Sequence, residues 1–218
     1  MTDTTPLQKP GTVFIVDDDT SFLRSLSRLL TAVGYSVEAY GSAMDFFARP
    51  DPDRPGCVIA DLQMPGINGL QLQEQLRRTQ DLLPVVFLTG QGDIPTTVSA
   101  MRSGAEDFLT KRAPKEDLFA AVERALARDS REREDRLHQR KLRARLDDLS
   151  HREQEVLGYV VQGKMNKEIA ADLDINLRTV KLHRTNLTRK LNVQSVAELT
   201  RLADETSFFK RPAKPPGG

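Results

Sequence analysis

The chain of 218 residues has the composition of a globular protein, with 39% hydrophobic and 29% charged residues. This length predicts one or two domains. Its apolar stretches are too short to span a bilayer, and its first residues lack the charged and then apolar pattern of a signal peptide. Cys57 is the single cysteine, which excludes a disulfide framework or a zinc–cysteine cluster. We therefore expect a cytoplasmic protein with no membrane segment.

Charge is distributed unevenly between the two halves of the chain. Residues 1–127 carry 12 Lys and Arg against 17 Asp and Glu, a net charge of −5. Residues 128–218 carry 20 against 14, a net charge of +6. An acidic half suited to a metal ion and a basic half suited to nucleic acid indicate two domains.

Strand-like and helix-like segments alternate through the first half, as in a parallel sheet built from βα units. Strands are predicted at 12–16, 36–40, 57–60, 84–88 and 107–110. Helices are predicted near 20–33, 43–48, 69–78 and 96–102, and from residue 115 onward. Five strands and five helices within about 125 residues predict an α/β fold of the flavodoxin-like (βα)5 type.

The second half is predicted to be entirely helical. Residues 128–146 are crowded with charge and contain no Gly or Pro, so we expect a helical linker. Its unevenly spaced leucines leave open both a solvated connector and a coiled-coil dimer segment. Residues 147–205 contain four short helical patterns, the first opened by a Ser150–Glu153 capping box. They predict a small all-α helix-turn-helix domain, while residues 1–11 and 206–218 are expected to be flexible tails.

Acidic, hydroxyl and basic side chains follow the predicted strands at the point where each strand ends. These residues are Asp17, Asp18, Asp61, Thr89 and Lys111. Ligands of an open parallel sheet bind at the carboxyl ends of its strands, so the residues are expected to meet at one edge. Neighbouring carboxylates repel each other unless a cation lies between them, and Mg²⁺ prefers such oxygen ligands. Asp61 then becomes a suitable nucleophile toward a phosphoryl group, whose charge Lys111 and Thr89 would stabilise.

Each of these residues also has a simpler interpretation. Asp17 or Asp19 could cap the helix that follows. Asp61 could be a loop residue, Thr89 a turn residue, and Lys111 a solvated surface charge. Their joint placement at four strand ends favours the phosphoryl site.

Four sequence motifs carry a resemblance to a known family. Val16–Asp19, Asp61–Gly66 and Leu88–Gly90, with the later Lys111, resemble a response-regulator receiver domain over residues 12–127. The resemblance implies that a sensor histidine kinase phosphorylates Asp61.

The same resemblance implies roles for further residues. Asp18, Asp61 and the Gln63 carbonyl would bind Mg²⁺ directly, and Asp17 would bind it through water. Thr89 and Phe108 would form the switch pair that responds to the phosphoryl group. Phe108 is otherwise an ordinary aromatic residue of a strand.

The residue after Lys111 departs from the family pattern. The family usually has a proline there, in a cis bond that directs the ammonium group, whereas Arg112 follows here and the next proline is Pro114. A cis bond before a non-proline residue is costly. Two alternatives stay open: a trans loop from which Lys111 approaches differently, or an altered activation.

The basic half contains motifs that resemble the LuxR-type helix-turn-helix. They are Leu149–Glu153, Asn166–Ala170, Thr179–His183 and Lys190–Leu191. With the receiver, the whole chain resembles a FixJ/NarL-class response regulator. A helix over 177–191 would enter the major groove, with Lys181, Leu182 and Thr185 on the face toward the bases. Phosphate contacts are predicted for Asn166, Lys167, Arg178, Thr179, Arg184 and Arg189.

These patterns predict a transcriptional regulator switched by phosphorylation, with no enzymatic activity beyond its own phosphoryl transfer and dephosphorylation. Its expected partners are a sensor kinase, double-stranded promoter DNA, RNA polymerase and a second copy of the chain. The predicted dimer face surrounds residues 96–102 and 107–109. Whether phosphorylation frees the recognition helix or acts through dimer avidity stays open.

The same residues leave three alternative functions open. The receiver could be an interaction module that does not depend on phosphorylation, for which Arg112 is the support. The acidic site could belong to a Mg²⁺ phosphatase, although Gln63 stands where such an enzyme would need a second aspartate as general acid. The basic half could be a protein-binding helical bundle with a solvated basic face.

Overall fold

The computed structural model describes residues 9–79, 81, 83–90 and 100–205. The chain divides into two compact units, residues 1–133 and 134–218. Among the described residues, no helix has the length and apolar character needed to cross a membrane.

The first unit is a five-stranded parallel sheet flanked by helices. Its strands are β1 (Thr12–Val16), β2 (Ser36–Tyr40), β3 (Gly56–Ala60), β4 (Val85–Thr89) and β5 (Asp107–Thr110). Its helices are α1 (Thr20–Ala32), α2 (Ala43–Phe47), α3 (Gly69–Arg78) and α4 (Lys115–Asp147), the last continuing into the second unit. The strand order β2-β1-β3-β4-β5 confirms the predicted flavodoxin-like α/β fold. Of the helix predicted at 96–102, residues 100–102 are helical and the rest lie outside the described residues.

The buried strands explain why the sheet forms as it does. All residues of β1, β3 and β4 are buried, as expected for parallel strands covered by helices on both faces. Alternate side chains enter two separate cores: Phe14, for example, packs on one face of the sheet and Ile15 on the other. Cys57 is fully buried in β3, and burial raises the pKa of its thiol.

The start of α1 shows which aspartate of the Asp17–Asp19 segment caps the helix. The Asp19 side chain is the N-cap of α1 and accepts hydrogen bonds from the backbone N–H groups of Ser21 and Phe22. The Asp17 carboxylate accepts the N–H of Asp19 at 2.9 Å. Asp19 is therefore the capping residue, and the carboxylates of Asp17 and Asp18 remain for the strand-end site.

A buried ion pair attaches α4 to the start of β3. The Asp129 side chain is 3% exposed; it accepts the backbone N–H of Gly56 at 2.9 Å and pairs with Arg133 at 2.9 Å. Arg133 also donates to the backbone carbonyls of Asp53, at 2.6 Å, and Arg54, at 3.3 Å. A Cβ atom on Gly56 would lie 2.0 Å from the Thr12 carbonyl oxygen, so only glycine fits at the start of β3.

The second unit contains the C-terminal part of α4 and four further helices. These are α5 (His151–Val161), α6 (Asn166–Asp172), α7 (Leu177–Leu191) and α8 (Val196–Glu205), which agree with the predicted helix-turn-helix architecture. Their core contains the fully buried side chains of Leu146, Leu157, Ile169 and Leu187. The Ser150–Glu153 capping box forms as predicted.

Glu153 also connects the start of α5 to the end of α7. It is 4% exposed, and its carboxylate accepts hydrogen bonds from the Ser150 backbone N–H at 2.8 Å and from Lys190 at 2.7 Å. Burial by itself would raise the pKa of Glu153, but the hydrogen bonds from Lys190 and Ser150 outweigh burial and lower it. The carboxylate is thus held ionised beneath α7.

Candidate phosphoacceptor site and nucleic-acid interface

Three carboxylates meet where β1 and β3 end. Oxygen atoms of Asp17, Asp18 and Asp61 all lie within 4.8 Å of one another. β1 and β3 pair in register, and the Asp61 N–H donates to the Val16 carbonyl at 2.9 Å. The backbone of the sheet therefore places the residues after both strands side by side, as the strand-end pattern predicts. Asp17 and Asp61 are buried, whereas Asp18 is exposed.

A close approach of α3 supports the loop that carries Asp61. Gly69, the first residue of α3, donates its N–H to the Leu62 carbonyl at 3.1 Å. A Cβ atom at position 69 would lie 2.4 Å from the Asp61 carbonyl oxygen. Only glycine therefore allows α3 to begin directly against the backbone of Asp61.

Lys111 supplies the positive charge of this site. Its ammonium Nζ lies 2.6 Å from Asp17 Oδ2 and 2.8 Å from Asp61 Oδ2. Its backbone N–H donates to the Thr89 carbonyl at 2.7 Å, and a turn closes between Thr110 and Ala113. The described residues contain no cis peptide bond, so the loop is trans at Arg112 and the ammonium still reaches Asp61.

Burial and pairing set the protonation of the site. Burial raises the pKa of Asp17, outweighing the hydrogen bond from Lys111 that lowers it. For Lys111, burial lowers the pKa, but the hydrogen bonds to Asp17 and Asp61 outweigh it, so the pKa is raised and the ammonium stays charged. By formal charge, the three carboxylates and one ammonium sum to two negative charges, which a divalent cation would neutralise.

The oxygen ligands fit Mg²⁺. Magnesium takes hard oxygen ligands at about 2.0–2.1 Å and keeps several waters, so a cluster of carboxylates at one open edge suits it. The Asp17, Asp18 and Asp61 oxygens form such a cluster. Gln63 is exposed two residues after Asp61, and its N–H donates to Asp61 Oδ1 at 3.3 Å. This position is compatible with the predicted use of the Gln63 carbonyl.

The predicted switch residues lie on the two neighbouring strands. Thr89 is buried at the last position of β4, in register with Thr110 of β5. Phe108 is partly buried in β5 opposite Phe87, with a distance of 6.4 Å between their ring centroids. Thr89 and Phe108 therefore lie on adjacent strands, Thr89 at the end of β4 and Phe108 two residues before the end of β5.

Two groups that contact the functional elements were not predicted. Phe22 of α1 lies beneath the Lys111 ammonium, and the sequence presents it only as an apolar position of an amphipathic helix. Asp129 and Arg133 have the four-residue spacing of a helix-stabilising pair, but that spacing does not indicate the attachment of Asp129 to Gly56. Neither contact has a local sequence signal.

The residues predicted to face DNA bases form one exposed face of α7. Lys181, Leu182 and Thr185 are all exposed, and the apolar residue Leu182 is 58% exposed. The Thr185 hydroxyl donates to the Lys181 carbonyl at 3.0 Å. Thr185 therefore presents an acceptor rather than a donor on this face.

The predicted phosphate-contacting residues separate into two groups. Lys167, Arg178 and Arg189 have exposed side chains. Arg184 donates to the Asn166 side chain at 2.7 Å, which joins α7 to the start of α6. The Thr179 hydroxyl and N–H are both bonded to Asn176, the N-cap of α7, so Thr179 has a capping role in this structure.

Comparison with known proteins identifies both units. Residues 13–123 match the response regulator receiver domain family, and residues 147–203 match the LuxR family of bacterial regulatory proteins. The response regulator protein TodT of Pseudomonas putida F1 is 38% identical over 196 residues, covering 90% of this chain and 86% of TodT. The transcriptional regulatory protein FixJ of Rhizobium meliloti is 40% identical, covering 88% of this chain and 94% of FixJ.

Among solved structures, the response regulator StyR is similar with a TM-score of 0.82 and 42% identity, covering 90% of this chain and all of StyR (100%). These matches extend over both units and agree with the acidic edge of the first and the helix-turn-helix of the second. The chain therefore belongs to the two-component response regulators that join a receiver domain to a LuxR-type DNA-binding domain, a family of transcriptional regulators rather than enzymes.

Proposed function

We propose that Asp61 accepts a phosphoryl group from a sensor histidine kinase and that this modification controls dimerisation and promoter binding. The observation that carries the proposal is the contact of the Lys111 ammonium with both Asp17 and Asp61 in a cluster of three carboxylates. A nucleophilic carboxylate, a metal site and a fixed cation are the groups that phosphoryl transfer needs.

In the proposed transfer, an Asp61 oxygen forms a bond to phosphorus while the bond from phosphorus to the imidazole nitrogen of the kinase breaks. Asp18, Asp61 and the Gln63 carbonyl would hold Mg²⁺ directly, and Asp17 would hold it through water. The bound ion would supply charge neutralisation for the phosphoryl oxygens. Lys111 exchanges its contact with Asp61 for one with a phosphoryl oxygen. Thr89 donates its hydroxyl to another oxygen, and Phe108 turns inward as the switch partner.

The proposed output is the binding of paired promoter half-sites by a dimer. Guanine presents hydrogen-bond acceptors in the major groove, so Lys181 is proposed to donate to a guanine. The exposed Leu182 side chain is proposed to contact a thymine methyl group. Six further residues are proposed to contact phosphates or to orient groups that do: Asn166, Lys167, Arg178, Thr179, Arg184 and Arg189. One small domain makes few contacts, so pairing two domains raises specificity.

The proposal extends to the organisation and partners of the protein. We place the receiver at residues 12–127, the linker at 128–146 and the DNA-binding domain at 147–205. The dimer face is proposed around 96–102 and 107–109, of which 96–99 lie outside the described residues. RNA polymerase is a further partner, and the cytoplasm is the compartment where kinase and promoter meet.

Light scattering with Mg²⁺, with and without beryllofluoride, tests the proposal. The wild-type mass should double when beryllofluoride is added, and Asp61→Asn should stay monomeric. Asp19→Asn is the matched control, because asparagine also caps a helix and Asp19 lies outside the proposed ligand set. A wild-type protein that stays monomeric and still binds its promoter would support the phosphorylation-independent alternative instead.

A further inference from the structure

We propose that Phe22 is a positioning residue for phosphoryl transfer, whose ring holds the Lys111 ammonium against Asp61. This inference rests on the proposed function, in which Asp61 accepts the phosphoryl group and Lys111 stabilises it.

The contact has the geometry of a cation–π interaction. Lys111 Nζ lies 4.4 Å from the centroid of the Phe22 ring, within the distance of about 6 Å at which the ring face attracts a cation. The same Nζ is 2.6 Å from Asp17 and 2.8 Å from Asp61, and the lysine side chain is 19% exposed. The ammonium is thus held between two carboxylates and one aromatic ring, with little access to water.

The ring is itself fixed by its position in α1. The backbone N–H of Phe22 donates to the capping carboxylate of Asp19 at 3.1 Å, which sets the first turn of the helix. The side chain is partly buried and packs against the core between α1 and the sheet, which includes Leu23 and Leu118. Phe22 therefore offers Lys111 a rigid surface.

The Phe22 ring is uncharged, unlike the carboxylates of Asp17 and Asp61. Mg²⁺ competes with Lys111 for the oxygens of Asp17 and Asp61, but it does not compete for the ring. A lysine has a long and flexible side chain, and holding it in one geometry costs rotamer entropy. No proline follows Lys111 to direct the ammonium, since Arg112 occupies that position. Phe22 therefore supplies an aiming contact that persists when the metal binds.

The kinetic test uses the full chain with acetyl phosphate and saturating Mg²⁺. We expect Phe22→Leu to slow phosphorylation of Asp61 about 3- to 30-fold, with the dissociation constant for Mg²⁺ unchanged within about twofold. Phe22→Tyr keeps an aromatic face and should restore the wild-type rate. Phe119→Leu is the matched control, because Phe119 is partly buried against the same core without being placed at the site.

A second variant and a spectroscopic signature separate positioning from packing. Phe22→Met replaces the ring with an unbranched apolar side chain of a different shape from leucine, so it should give the same loss if the ring is responsible. With lysine labelled at ¹³Cε, the ring should shift the Hε protons of Lys111 upfield, a resonance assigned by its absence in Lys111→Arg. That shift should disappear in Phe22→Leu and persist in Phe22→Tyr, with and without Mg²⁺.

The outcomes distinguish the two proposals. Phosphorylation of Phe22→Leu and Phe22→Met at the wild-type rate, or a Lys111 resonance that neither variant moves, would overturn the role of Phe22 and leave the role of Asp61 intact. A wild-type chain that takes no phosphoryl group would overturn the proposed function, and the positioning role with it. A slow Phe119→Leu variant would assign the effect to core packing and also overturn the inference.

Discussion

The two functional regions of this response regulator are built in opposite ways. The acidic site collects residues from the ends of four strands, and Asp17, Asp61 and Thr89 are buried there. Lys181 and Leu182, which are proposed to face DNA, are neighbours on one helix and are exposed. At the acidic site, Asp17 and Asp61 are already paired with Lys111 of the same chain. On α7, the exposed side chains are expected to make their principal contacts with the nucleic acid.

This difference predicts different responses to substitution. A change in the acidic site removes a group whose neighbours are already in place, so it should act sharply and on one chemical step. A change on the face of α7 removes one contact among several, so it should act in a graded way. The helices behind α7 form a third case, because they support the exposed face from buried positions.

The largest effect is expected for Lys111→Met, which removes the only cation contacting Asp61 among the described residues. Phosphorylation by acetyl phosphate should slow about 10²- to 10³-fold, as when one preorganised donor to a developing charge is lost. Mg²⁺ should bind at least as tightly, since Asp17 and Asp61 lose a competing cation. Rates from phosphate-affinity gels and titration calorimetry with Mg²⁺ measure the two quantities. Equal losses of both would show that Lys111 acts only by maintaining the fold.

Glu153→Gln tests whether the buried Glu153 carboxylate stabilises the packing of α7 through Lys190. Losing the charge-assisted bonds to Lys190 and Ser150 should destabilise the second unit by about 1.5–3 kcal/mol. The pKa of Glu153 is lowered from its usual 4.5, so its contribution to stability is present above that value and is lost as the pH falls through the lowered pKa. Hydrogen exchange of α5 and α7 amides at neutral and acidic pH should show this loss in the wild type and not in the variant.

Gly69→Ala tests whether the acidic site tolerates a single added methyl group. The new Cβ would lie 2.4 Å from the Asp61 carbonyl, so α3 or the loop must move, at a cost of about 1–3 kcal/mol. Denaturant unfolding and the phosphorylation rate should both report the change. Gly90→Ala is the control at the same edge, because a Cβ there meets none of the described residues within 4 Å. Equal effects at the two positions would contradict the close approach of α3.

The smallest effects are expected on α7, and they should differ in kind. Lys181→Ala should weaken binding to the preferred promoter by about 1–3 kcal/mol and relax selectivity at one base pair. Arg189→Ala should weaken binding to all sequences similarly and reduce the salt dependence by about one counterion. Fluorescence anisotropy with matched and altered promoter duplexes at several salt concentrations separates the two. Identical behaviour of the two variants would indicate that Lys181 contacts a phosphate and not a base.

The sequence was sufficient for the carboxylate cluster because a general rule connects it to structure. Parallel strands bring their carboxyl ends to one edge, so buried apolar runs ending in Asp17, Asp61, Thr89 and Lys111 place those residues together. The Ser150–Glu153 capping box and the order of helices in the second unit were predictable for a similar reason, since their signals are local. The fold class and family that these patterns predict are both confirmed.

Contacts between distant, ordinary residues were not predictable. Phe22 and Lys111 are far apart in the chain, and an apolar residue of an amphipathic helix carries no sign of the cation above it. Asp129 and Arg133 have the spacing of a helix pair, but their reach to Gly56 and Asp53 depends on how α4 packs against the sheet. Such contacts require the folded chain.

The hydrogen bond from the Gly56 N–H to Asp129 affects where the chain can be truncated to isolate the receiver. A chain truncated after residue 127, where the receiver was predicted to end, would lose Asp129 and Arg133 and leave the Gly56 N–H and two carbonyls of residues 53 and 54 without these partners. Truncation is best placed by the hydrogen bonds it would sever. A receiver fragment should therefore retain residues through Arg133, the point at which the first compact unit ends.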